Sequence, residues 1–274
     1  MNDEGAEVRR AEGGMAMPRS LLERARQLLD AGPGGFEIVE PRSAATVALL
    51  RSTGQTFELL LQRRPATMVF APRMHVFPGG VVEDGDHDQA RWLQQDHAEV
   101  AADAHLACCD DLDDCFGLDV LPARVAAVRE TAEETGYQIG DPRSLDYIAH
   151  WVTPEVEPRR YDTRFYATVI GAVGPPPAVN GESDAAHWIR PGEALRMHLA
   201  GEMAMLPPTA VVVRQFAEYA EAGLSAHESV VRAGAARVRP LLPVPRNEPS
   251  SPEGILWVMV DARTREQIDL VGGS

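Results

Sequence analysis

Three carboxylates fall at helical spacing in this chain, and they limit how it can fold. Glu130, Glu133 and Glu134 occupy positions i, i+3 and i+4, which share one face of an α-helix. Like charges so placed destabilise an isolated helix, so something on that face must offset the repulsion. Hard divalent cations do so: Mg²⁺ and Mn²⁺ take oxygen ligands, and Mg²⁺ commonly sits between a few carboxylates and substrate phosphates. Arg129 is placed to pair with Glu133 one turn on and to hold the cluster in order. Pro122 suits a first turn and Gly136 the residue beyond the last. Val125, Val128 and Ala132 form an apolar stripe. The spacing predicts an amphipathic helix over roughly 122–135, with an acidic face for metal and an apolar face for a sheet. A solvated charged face is the plainer reading of such a helix. The upstream Phe77-Pro78-Gly79-Gly80 argues against it, because glycines let backbone approach a cation closely and let the chain turn into the helix.

Joined in order, Gly79-Gly80-Val81-Val82-Glu83-Asp84-Gly85-Asp86 and Arg129-Glu130-Thr131-Ala132-Glu133-Glu134-Thr135-Gly136-Tyr137 resemble the signature of the Nudix hydrolases, G-x5-E-x7-R-E-U-x-E-E-x-G-U with U apolar. Between Asp86 and Arg129 lie 42 residues against the signature's seven, so about 35 are inserted. The resemblance implies that Glu130, Glu133, Glu134 and the Gly80 carbonyl hold Mg²⁺ or Mn²⁺, with one carboxylate able to act as base. It places an extra carboxylate, Glu182, on a loop ahead of Trp188. Two departures stand out: Asp86 replaces a Glu, and Thr131 replaces an aliphatic residue.

The chain has 274 residues, enough for one full core plus an insert. Residues 1–17 read as a disordered tail and 18–274 as a single domain with a largely helical insert at about 87–121. Strands are expected at 45–51, 57–63, 74–77, 147–152, 164–170, 186–190 and 255–260. Helices are expected at 20–30, 90–109, 191–201, 207–220 and 226–235. Strands mixed with helices indicate an α/β (α+β) fold, and the resemblance implies an α/β/α sandwich with a mixed sheet. The net charge of −15 excludes a protein that relies on basic surface for non-specific nucleic-acid binding. No run of 18 uncharged apolar residues suggests a membrane span. No basic-then-apolar leader is present, and Cys108, Cys109 and Cys115 make neither a disulfide framework nor a common zinc pattern. Together these lead to the expectation of a cytoplasmic protein. The chain ends Val-Gly-Gly-Ser, so no C-terminal peroxisomal address is expected.

Outside the box, Met68–Gly80, Thr153-Pro154 with Pro158–Tyr166, and Leu206–Thr209 are similar to the split-box branch that includes coenzyme A and acyl-coenzyme A diphosphatases. That resemblance implies release of 3′,5′-ADP and a 4′-phosphopantetheine product. The phosphates need cationic partners, for which Arg159, Arg160 and Arg164 come first, then Arg63, Arg64 and Arg73. Two alternatives remain: an ADP-ribose or nucleotide-sugar diphosphatase, and a catalytically silent module that binds a nucleotide or a partner. By resemblance a homodimer is also expected.

Overall fold

The computed structural model describes residues 19–32, 34–68, 71–95, 120–171 and 183–268. The predicted tail, most of the insert with its three cysteines, and Glu182 lie outside those residues.

The chain divides into two compact units. The smaller holds the described residues up to Arg42, Trp151–Asp162, and those from Pro240 onward; the larger holds Ser43–His150 and Thr163–Arg239.

In the larger unit, β1 (Arg42–Thr53) and β2 (Thr56–Arg63) form an antiparallel hairpin. Its two-residue turn places Gly54 at φ 67°, a conformation glycine adopts without steric cost. Apolar runs make both strands buried along most of their length, as a strand covered on both faces must be. After β2 come β3 (His75–Val76) and β4 (Gly79–Val81). The sheet order in this unit is β3-β2-β1-β6-β5, where β5 is Asp146–Val152 and β6 is Tyr161–Ile170. Strand β4 pairs with β1, and β7 (Ala185–Ile189) pairs with β2. Two helices frame the site: α2 (Asp84–Gln95) and α3 (Val120–Thr135). Three more follow β7: α4 (Pro191–Leu199), α5 (Pro207–Glu221) and α6 (Ala226–Gly234). Ala45, Val47, Leu49, Leu60, Ala123, Ala127 and Tyr166 form a core cluster that joins α3 to the sheet.

The smaller unit combines α1 (Arg19–Ala31) with a hairpin of β8 (Pro240–Asn247) and β9 (Ile255–Asp261). Leu21 and Ala25 of α1 pack with Val156 and Ile255.

The longer helices and strands follow the hydrophobic periodicity closely, with three departures. Strand β8 was not anticipated, because its three prolines argue against a strand. Pro243 and Pro245 are two residues apart, so they turn their missing N–H groups to the same side and the ladder tolerates them. Helix α2 begins at Asp84, earlier than the expected 90, with Asp84 and Asp86 in its first turn where the helix dipole favours acids. On α3 the buried side is centred on Ala123, Ala127 and Thr131, while Val128 and Ala132 are only partly buried. Among the described residues no helix is long and apolar enough to cross a membrane.

Candidate active site

Helix α3 carries the acidic face, and Arg129 organises it. Its guanidinium donates to both oxygens of Asp86, from Nε to Oδ1 at 3.0 Å and from Nη2 to Oδ2 at 2.9 Å. Nη1 reaches Glu130 Oε1 at 2.9 Å and Glu133 Oε2 at 3.3 Å, and Nη2 also donates to the Val81 carbonyl at 3.1 Å. The expected Arg129–Glu133 pair is therefore present but secondary. The two-pronged bond to Asp86 is the better-aligned kind of charge-assisted contact. Asp86 is 3 % exposed and also accepts from the Glu83 amide at 2.8 Å. This bonding to Asp86, ahead of that to Glu130, raises the Arg129 pKa above its ordinary value. The arginine stays charged.

The two glycines explain how the β4 segment approaches α3. Gly79 sits at φ 155° beside β1, where a Cβ would fall 2.2 Å from the Ala45 carbonyl oxygen. Its amide donates to Glu134 Oε2 at 3.1 Å. At Gly80 a Cβ would lie 2.1 Å from Glu130 Oε1, so the missing side chain leaves the space that the Glu130 carboxylate fills. Strand β4 is held by the register Ala45↔Gly80 and by Thr46 Oγ1 donating to the Pro78 carbonyl at 2.7 Å. Gln62 of β2 donates to the Glu134 backbone carbonyl at 3.3 Å. Thr131, polar where an apolar residue is usual, is fully buried and returns its hydroxyl to the Ala127 carbonyl at 2.7 Å. The departure therefore leaves no unsatisfied donor.

The three glutamates differ in access. The Glu130 side chain is 13 % exposed and that of Glu133 59 %. Their carboxylates are the hard oxygen donors that Mg²⁺ or Mn²⁺ prefers, and the cradle at Gly80 brings backbone against Glu130. The residues fit such an ion in kind. Among the described residues no three His, Cys, Asp or Glu side chains stand gathered around one point as a ready ion site. Arg129 and the Gly79 amide instead hold these oxygens in place.

The proposed substrate arginines fall into distinct settings. Arg63 ends β2, and Arg64 and Arg73 lie in the β2–β3 connection, where the Arg64 amide donates to the Met74 carbonyl and the Arg73 amide donates to the Arg64 carbonyl. Arg73 is exposed and takes a left-handed φ of 61°, unusual outside glycine. Arg63 is tied to Asp184 at 2.6 Å. Arg164 is 9 % exposed and donates to Ser43 Oγ at 3.4 Å. In the smaller unit Arg159 is exposed, while Arg160 is 6 % exposed and donates to the Thr153 and Val39 carbonyls at 3.0 and 2.7 Å. Burial lowers the Arg160 pKa, and the guanidinium braces backbone in that unit. His75 and His187 stack edge-on at 5.6 Å, and burial lowers the pKa of both.

Sequence reasoning missed Asp86 as a site residue. The available signal was its place six residues after Gly80, where the signature carries a carboxylate.

No family model matches the chain. A Caenorhabditis elegans protein named as nudix hydrolase 7 is 26 % identical over 184 residues, which cover 61 % of this chain and 57 % of that protein. The chain thus spans a little over half the length of that relative. The crystal structure of a NUDIX hydrolase from Alicyclobacillus acidocaldarius matches with a TM-score of 0.52 and 26 % identity, over 69 % of this chain and 99 % of that one.

Proposed function

We propose that this chain, whose sequence and fold support a place in the Nudix hydrolase superfamily, hydrolyses a diphosphate linked to a nucleoside, with coenzyme A or acyl-coenzyme A as the substrate class. The observation that carries the chemistry is Arg129 held by Asp86 while it orders Glu130 and Glu133 against the Gly79-Gly80 strand. Glu130, Glu133, Glu134 and the Gly80 carbonyl would hold Mg²⁺ or Mn²⁺, which supplies charge neutralisation at the phosphates and a more acidic water. The chain's own residues do the positioning. Asp86 keeps Arg129 charged and aimed, and the Gly79 amide fixes the Glu134 carboxylate. Glu133, with its side chain 59 % exposed, is the carboxylate with access to accept a proton from water. Arg64 and Arg73, on the connection between β2 and β3, are the cations suited to hold substrate phosphates. Support for coenzyme A rests on the split box and the branch-like segments around Met68–Gly80 and Pro158–Tyr166.

The test is purified protein with Mn²⁺ or Mg²⁺ against coenzyme A, acetyl- and long-chain acyl-coenzyme A, ADP-ribose and NADH, with products separated by chromatography. We expect 3′,5′-ADP from the coenzyme A species. AMP from ADP-ribose alone would overturn the substrate and keep the chemistry. No turnover of any compound would favour a silent binding module.

A further inference from the structure

The geometry points to an anion site at the N-terminal end of α3, built on Arg124, that takes a phosphate group from inorganic phosphate or from a phosphomonoester. Arg124 is only 9 % exposed. Its Nε is sealed from solvent without an acceptor, and among the described residues no carboxylate pairs with it. The other deeply buried arginines differ: Arg160 is bonded to two carbonyls and Arg164 to Ser43. What touches the Arg124 guanidinium is an aromatic face, the Tyr166 ring, with 5.7 Å between the guanidinium carbon and the ring centroid. A buried cation without a counter-charge is costly, so the arrangement calls for an anion.

The helix supplies the rest of the site. Helical side chains lean toward the N-terminus, and Arg124 is the fifth residue of α3. The Tyr166 hydroxyl, on the ring that Arg124 covers, donates to the carbonyl of Val120 at 3.4 Å, which is the first residue of the helix. The guanidinium is thereby kept at the helix start. There the Val120, Leu121 and Ala123 amides have no acceptor within the helix, Pro122 having no N–H, and the dipole favours negative charge. A planar guanidinium fork matches two oxygens of a phosphate. The site is separate from the carboxylate face: Arg124 precedes Glu130 by six residues, about 9 Å along the axis and about 120° around it, and precedes Glu133 by nine, about 13 Å away on the opposite side.

Calorimetric titration of the intact protein in chelator, with inorganic phosphate and separately with AMP, tests this. Saturable phosphate binding is expected, weakened about 10-fold or more in Arg124→Met and about 5-fold in Arg124→Lys, where a point charge replaces the fork. Binding in Glu133→Gln should be unchanged, which keeps this test independent of the proposed activity. Equal binding of AMP would identify a phosphomonoester site, and binding of phosphate alone would identify a free-anion site; either supports the proposal. Absence of saturable binding, or unchanged affinity in Arg124→Lys, would overturn it even if Arg124→Met fails to fold.

Discussion

Asp86 lies on α2, outside the acidic face of α3, yet Arg129 depends on it. Replacing it with alanine leaves a half-buried guanidinium with its best partner gone. We expect Asp86→Ala to cost about 2–3 kcal/mol, read as a fall in Tm of roughly 5–10 °C. Activity should fall with it as Glu130 and Glu133 lose their common anchor. An unchanged Tm would show that the pair contributes nothing to stability. Glu133→Gln addresses chemistry instead. Its side chain is 59 % exposed, so the fold should be unaffected. The rate constant should drop by about 10²-fold or more, in line with the few kcal/mol that metal-based charge stabilisation provides. Full activity in that variant would remove the metal site from this face. At these positions the sequence was informative about Arg129 and the three glutamates, because helical spacing is local. It said little about Asp86, whose importance depends on an arginine 43 positions away.

The β4 segment gives a sharper contrast, because its two glycines meet different obstacles. Alanine at position 79 would press against the Ala45 carbonyl and the Thr46 backbone, neither of which can yield. Gly79→Ala should therefore destabilise by about 2 kcal/mol or more, measurable by denaturant unfolding. Alanine at position 80 would press on the end of the Glu130 side chain. That carboxylate can swing aside, so Gly80→Ala should keep most of its stability and lose activity at least 10-fold by displacing the Glu130 carboxylate proposed to hold the metal. If the two variants behave alike, β4 does not position Glu130. Helices and long strands were legible from period and punctuation, whereas β4 and β8 were not. A three-residue strand has no periodicity to read, and a strand with three prolines contradicts the usual composition.

For the molecule as a whole, buried His75 and half-buried His187 set an acid limit. The pKa values of His75 and His187 are lowered, first by burial, and Arg63 lies near both. A histidine depressed in the folded state binds fewer protons there than when unfolded, so stability is present above the unfolded pKa and is lost as pH falls through the folded one. Between about pH 7.5 and 5.5 the Tm should fall, and His75→Gln with His187→Gln should flatten that dependence. A pH response identical to wild type would place the effect elsewhere. The acidic motif, the glycine pair and the helix that carries them could be read from the chain, since each depends on residues a few positions apart. Only the folded molecule showed that Asp86 grips Arg129, that Gly80 makes room for Glu130, that Arg160 braces backbone and that, among the described residues, the buried Arg124 Nε has no acceptor. Those facts depend on contacts between distant segments, and spacing along one chain carries no record of which distant groups meet or how deeply they are buried.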